Sequence, residues 1–206
     1  TTPAAIDQDA ARAAQAGLAG IPLTAREPLR ASTVTLDRAT VPQFEPVELT
    51  PDLAATFDNP FDPEDVAVDA EVTLPNRKRW VVPGFYYAPF RLETDGGRER
   101  LRLAGPACWK VRLTPTLPGT YRLVVKVRDR TGTAQCPPVT FRATPAKAKG
   151  FIRVSAASPT YFCHDDGSPY IAIGENLCWA NGPMPLALYR EWLQRLGAAG
   201  GNWARL

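Results

Sequence analysis

Val66-Ala67-Val68-Asp69-Ala70-Glu71-Val72-Thr73-Leu74 places an apolar residue at every second position. That period belongs to a strand with one buried and one solvated face. Val66, Val68, Ala70, Val72 and Leu74 line one side. A strand of this kind fits an antiparallel sheet whose second face meets water. Upstream, Asp58-Asn59-Pro60-Phe61-Asp62-Pro63 is a dense turn, and Glu45 to Phe57 alternates loosely. Downstream, Pro75-Asn76 turns the chain into Trp80-Val81-Val82 and Phe85-Tyr86-Tyr87, which Pro83-Gly84 separates. Leu101 to Ala104 and Cys108 to Leu113 follow, then Tyr121 to Val127 and Thr133 to Ala143, joined through Asp129-Arg130-Thr131-Gly132. About seven short strands with turns every 8–12 residues predict an antiparallel β-sandwich of about 100 residues. Trp109, Tyr121, Leu123, Val125 and Val127 are its expected inner-face residues.

The pattern changes after Thr144-Pro145-Ala146-Lys147-Ala148-Lys149-Gly150, a short boundary. Phe151 to Val154 reads as a connecting strand. Thr160 to Cys163 and Tyr170 to Ile173 flank the turn Asp165-Asp166-Gly167-Ser168 and predict a hairpin. From Tyr170 the chain reads strand, helix, strand. Tyr170 to Gly174 is apolar, and Pro185 opens a helical stripe of Leu188, Tyr189, Trp192, Leu193 and Leu196. Gly197 is placed to end the helix, and Asn202 to Leu206 begins a second strand. A strand, a crossover helix and a second strand form a βαβ unit of a parallel sheet. Such sheets are covered on both faces, so this stretch predicts the opening of a larger α/β domain that residue 206 cuts short. A small α+β appendage is the alternative.

Residues 1–42 stand apart. Asp7 to Gly20 is an Ala-rich helical pattern with almost no large apolar face, and residues 21–42 read as a linker or an extended edge. The domains expected are therefore a leader helix and linker over 1–42, a sandwich over 43–145 and an incomplete α/β domain over 146–206.

Composition narrows the function. The net charge of +3 is too small to argue for a polyanion, and Arg98-Glu99-Arg100-Leu101-Arg102-Leu103 reads as a solvated strand face, so no nucleic-acid partner is expected. No apolar run reaches the ~20 residues of a membrane span, so no membrane partner is expected either. The four cysteines, at 108, 136, 163 and 178, form no Cys-x-x-Cys pair. Cys108–Cys136 and Cys163–Cys178 disulfides would each stay within one domain, and free buried thiols fit as well. His164, the only histidine, sits beside a turn and reads as a surface residue rather than part of a catalytic triad.

Three stretches together resemble a known arrangement: bacterial glycoside hydrolases with an immunoglobulin-like N-terminal domain ahead of a (β/α)₈ catalytic barrel. Asn59-Pro60-Phe61-Asp62 with the strand from Val66 is similar to that domain's early turn and strand. Pro83-Gly84-Phe85-Tyr86, followed by Cys108-Trp109-Lys110-Val111-Arg112-Leu113-Thr114-Pro115 and Gly119-Thr120-Tyr121, resembles its core. Gly150-Phe151-Ile152-Arg153-Val154 with Gly174-Glu175-Asn176-Leu177-Cys178-Trp179 resembles the entry into the barrel. The fold so implied is mainly β: an immunoglobulin-like antiparallel β-sandwich, a hairpin, and the first βαβ unit of a (β/α)₈ barrel.

The resemblance implies a site as well. Tyr170–Gly174 and Asn202–Leu206 would be the first two barrel strands, and barrel sites lie at the C-terminal ends of the strands. Glu175, Asn176 and Trp179 follow the first strand and would face a sugar cleft, with Trp179 stacking on a ring. Arg205 matches an arginine that, in the large retaining clan, bonds the nucleophilic carboxylate. The catalytic pair would lie on the fourth and seventh strands, outside these residues, so the 206 residues by themselves are expected to be inactive. The implied partners are a carbohydrate substrate and the remainder of the barrel, on the same or another chain. No metal or organic cofactor is implied, and the implied location is secreted or periplasmic. The competing expectation is a non-catalytic carbohydrate-binding or scaffolding sandwich, with Trp80, Phe85, Tyr86 and Tyr87 as a sugar platform. A structural domain of a larger surface assembly is a third.

Overall fold

The computed structural model describes residues 20–206. The leader helix expected over Asp7 to Gly20 lies almost wholly outside the described residues. The chain is mainly β, 51% strand against 7% helix. It divides into two units: the chain up to Pro89 with Gly105–Ala148, and Phe90–Ala104 with Lys149–Leu206.

The first unit is a two-sheet sandwich. One sheet runs β1 (Ala25–Leu36), β3 (Val47–Phe57), β9 (Cys108–Leu113), β6 (Phe85–Tyr87). The other runs β2 (Thr40–Pro42), β12 (Val139–Thr144), β10 (Gly119–Asp129), β4 (Val66–Thr73), β5 (Arg79–Pro83), with β11 (Gly132–Gln135) also beside β10. Pairing is antiparallel except β2 with β12. Lettered in chain order, the sheets read A-B-E-D and A′-G-F-C-C′, the immunoglobulin arrangement. Tyr121, at the start of strand F, donates from its hydroxyl to the Leu117 carbonyl and accepts from the Leu117 amide, both at 3.0 Å. That is the tyrosine corner of such sandwiches.

The alternation along β4 and β10 is what closes the core. Val66, Val68, Ala70, Val72 and Leu74 are buried, as are Tyr121, Leu123, Val125 and Val127. Leu49, Val111 and Trp109 meet them from the other sheet. Tyr121 stacks on Phe141 at 4.9 Å. Each Val, Leu or Phe side chain among them contributes about 1.5–3 kcal/mol by leaving water. Gly84 lies where the chain crosses from β5 to β6, between the sheets. A Cβ there would meet the Val68 and Lys110 carbonyls at 2.9 and 3.1 Å, one from each sheet.

Within the stretch read as a linker or an extended edge, residues 25–36 and 40–42 are edge strands: β1 pairs with β3, and β2 with β12, so both sheets take in residues before 43. The single strand read over Thr133 to Ala143 is two, because Pro137 and Pro138 have no amide to give the ladder. All four cysteines are free, and Cys136 is buried in the core.

The second unit holds three small sheets and a helix. β7 (Phe90–Asp95) and β8 (Arg98–Leu103) form a hairpin closed by Gly96 and Gly97, both at positive φ. Two left-handed residues between paired strands make the turn whose twist suits a hairpin. β13 (Ile152–Val154), β14 (Phe162–His164) and β15 (Pro169–Tyr170) form an antiparallel sheet. β16 (Gly174–Asn176) pairs in parallel with β17 (Trp203–Arg205), and α1 (Pro185–Ala198) lies between them in sequence. This is the expected βαβ unit.

Its first strand starts later than the sequence suggests. Tyr170 pairs back to Phe162, and residues 171–173 belong to no strand. Asn202 holds them instead: its Oδ1 accepts from the Ile173 amide and its Nδ2 donates to the Ile171 carbonyl, each at 2.9 Å. The Tyr170 hydroxyl reaches the same side chain. The helix also runs past Gly197 to Ala198; Gly200, at φ +85°, is the left-handed residue after its end. Leu188, Tyr189, Trp192 and Leu196 are half-buried as the stripe predicts, whereas Leu193 is exposed. Among the described residues, every buried hydrophobic side chain lies in the first unit.

Candidate functional site

The parallel pair β16–β17 decides how the sequence-derived site residues stand. Gly174 sits opposite Trp203, Glu175 opposite Ala204, and Asn176 opposite Arg205. Side chains alternate along a strand, so Asn176 and Arg205 are neighbours on one face, with Trp203 behind them. Glu175 projects from the other face. Glu175 and Asn176 thus lie inside the strand rather than after it, on opposite sides. Only Trp179 follows it. All four residues are exposed, and among the described residues neither Glu175 nor Arg205 makes a side-chain ion pair.

The pairing depends on Gly174. A Cβ there would lie against the Trp203 carbonyl, 2.6 Å from its carbon, so only glycine lets the backbones approach. At the other end, the Leu177 amide donates to the Arg205 carbonyl at 2.7 Å. The loop from Leu177 to Met184 therefore begins tied to β17.

Trp179 stands in that loop at φ +54°, with 79% of its surface exposed. A bulky residue in the left-handed region carries a strain that surrounding structure must hold. An indole held out into water in this way is suited to stack on the apolar face of a sugar. The sequence placed Trp179 here; its backbone state has no sequence signal.

Sequence reasoning missed the group that secures the far end of the loop. Met184 gives α1 no side-chain cap, and the first turn has no acidic residue. Pro185 has no amide to satisfy. Leu186 and Ala187 donate their amides to the two carboxylate oxygens of Glu99, each at 2.7 Å. The Glu99 amide donates to the Pro183 carbonyl at 2.8 Å, and Leu188 donates to the Met184 carbonyl. The helix start is thus satisfied by a residue roughly 90 positions upstream, on the β7–β8 hairpin. Alternation held the signal: Glu99 shares the Leu101 and Leu103 face, away from Arg98, Arg100 and Arg102.

His164 is half-buried at the end of β14, not a surface turn residue. Its ring meets Tyr170 edge-on at 5.5 Å. Asp165 accepts from the Phe151 amide and from Arg153 Nε, each at 2.8 Å. The Arg153 guanidinium, with that amide, holds the Asp165 carboxyl below the usual carboxylate range. Among the described residues, no three His, Cys, Asp or Glu side chains gather as a metal would need.

The aromatic platform expected on the sandwich is divided. Trp80 and Tyr86 pack against the core, Tyr86 at 5.3 Å from Trp109. Phe85 and Tyr87 point the other way and are capped by cations: Lys110 Nζ lies 4.2 Å from the Tyr87 ring and Arg112 5.3 Å from that of Phe85. Glu48 binds both cations. The four rings do not share a face.

Comparison with known proteins bears on both units. Residues 40–128 match the sequence pattern of a domain of unknown function, DUF5060. No curated protein matches the chain. A solved structure from Bacteroides vulgatus, provisionally described as a glycoside hydrolase, shares the fold at a TM-score of 0.56 and 20% identity. The likeness covers 81% of this chain but only 28% of that one. It therefore extends beyond the sandwich into the second unit.

Proposed function

We propose that this chain is the N-terminal part of a glycoside hydrolase, with an immunoglobulin-like sandwich ahead of the first βαβ unit of a (β/α)₈ catalytic domain. The observation carrying this reading is the parallel β16–β17 pair with its crossover helix, together with apolar residues on and beside the two strands that face water. Ile171, Ile173, Trp203 and Leu206 are all exposed, and further strands and helices of an α/β domain are what would cover them. The fold likeness to a much longer chain provisionally described as a glycoside hydrolase supports it.

In this reading Asn176, Trp179 and Arg205 border the sugar cleft at the C-terminal ends of the first two strands. Trp179 stacks on a ring, and Arg205 is free to bond a carboxylate brought by a later strand. Glu175, on the other face, serves the opposite side of the sheet. The two catalytic carboxylates belong to strands beyond residue 206, the substrate is a polysaccharide or oligosaccharide, and hydrolysis proceeds with retention through a glycosyl-enzyme. Such an enzyme works in a secreted or periplasmic setting.

The test is glycan hydrolysis. Protein isolated from the natural source should release reducing sugar from at least one neutral polysaccharide of a β-glucan, xylan, mannan and galactan panel, whereas the 206-residue polypeptide should release none. Arg205→Ala in the full protein should lower kcat by at least 100-fold. Turnover by the 206 residues alone, or no turnover by the natural protein on any glycan, would refute the reading.

A further inference from the structure

The β16–α1 loop is pinned at both ends by different parts of the chain. Leu177 is held by the Arg205 carbonyl. Pro183, Leu186 and Ala187 are held by the backbone and carboxylate of Glu99. Between the pins stand Cys178, Trp179, Ala180, Asn181 and Gly182, the last at φ +105°. The hairpin that brings Glu99 is interposed in the sequence between two sandwich strands, β6 and β9, yet belongs to the second unit. Its other face carries Arg91, Glu93, Asp95, Arg100 and Arg102 in surface ion pairs, so it is soluble on one side and committed to the helix start on the other.

In a βα unit, the loop after the strand and the helix start that follows are where ligands bind. We propose that Glu99 is a positioning residue: the β7–β8 hairpin is a strap that fixes this loop and keeps Trp179 in its strained, outward conformation as a stacking platform for a sugar ring. The ligand class rests on the glycoside hydrolase reading; the strap does not. Nothing local replaces Glu99. Without it the Leu186 and Ala187 amides lose their acceptor, the loop gains freedom, and the left-handed state of Trp179 loses its support.

Two readouts test the strap on the full-length protein, using wild type, Glu99→Gln and Glu99→Ala. The first is amide hydrogen exchange. Glu99→Ala should speed exchange at Leu186 and Ala187 at least tenfold and raise it across residues 178–183, while Leu123 and Val125 in the sandwich keep wild-type rates. Glu99→Gln, which keeps the shape but accepts more weakly, should fall between. The second is the fluorine resonance of Trp179 in 5-fluorotryptophan protein, assigned by Trp179→Phe. It should be single and sharp in wild type and shifted or broadened in Glu99→Ala. Unchanged exchange at Leu186 and Ala187 in both variants, or an unmoved Trp179 resonance, would overturn the strap. Titrating the wild type with neutral β-1,4-linked gluco-, xylo- and mannohexaose, read on the same resonance, tests the ligand class separately. A shift with one of them supports sugar stacking; no shift with any refutes it, while the exchange data still decide the strap.

Discussion

Among the described residues Asp129 is the buried carboxylate of the sandwich, and it contributes to the acid behaviour of the domain beside Glu48, Asp52, Asp58 and Asp65, whose pKa values are also held down. Burial pushes the Asp129 pKa up, but hydrogen bonds from the Thr131 hydroxyl and from the Thr56, Thr131 and Gly132 amides outweigh that and hold it below the usual range. A carboxyl depressed in the folded state adds stability that is complete above its unfolded pKa, near 4, and lost as pH falls through the folded value. Asp129→Ala should therefore cost about 2–3 kcal/mol at pH 7, since it strands the Thr56 amide. The gap to wild type in urea unfolding should narrow at pH 2–3. Equal stability of the two proteins at pH 7 would contradict this account. Asp129 was not legible as such a group. In the sequence it is one acid in a surface-like Asp-Arg-Thr-Gly turn, and only the return of β3 brings the Thr56 amide within 2.7 Å. Glu99 failed for a similar reason: its partners lie 87 and 88 residues away. Trp179 could be placed by position, but not its strain.

Among elements, the strands with strict alternation were readable and the interrupted ones were not. β4 and β10 carry their burial in their sequence, because a period of two has one meaning when one face is wet. β1 and β2 lacked that signal. As edge strands they bury only scattered residues, and β1 is further broken by register shifts. The β7–β8 hairpin was missed although Gly96-Gly97 between two alternating runs is a strong turn signal. The late start of β16 follows from a side chain, Asn202, standing in for a strand, which no periodicity records. Gly174 carries the prediction at this scale. Gly174→Ala should break the β16–β17 ladder, raising exchange of the Trp203 and Leu177 amides, which donate across it, at least tenfold while leaving β4 and β10 protected. An intact ladder in that variant would mean the close approach to Trp203 is relieved elsewhere.

For the whole molecule, the two units differ in how much of their own apolar surface they bury. The sandwich closes a core of its own from both sheets. The second unit buries no hydrophobic side chain among the described residues, while holding aromatic and aliphatic groups on strands and helix. In the proposed reading such a unit is covered by further strands and helices; three short elements in the sequence suggest an α/β domain and say nothing of its chemistry. The sequence proposes the candidate site as a set of positions and leaves its faces open, since one residue of register decides that Asn176 and Arg205 share a face and Glu175 does not. The measurement that tests this account most directly is the intact mass of the polypeptide from its natural source. The account predicts a mass above the 22.4 kDa of these residues by some 25–40 kDa, about the size of the rest of a barrel. A mass near 22.4 kDa would contradict it, and the βαβ unit would then need its covering partner on another chain.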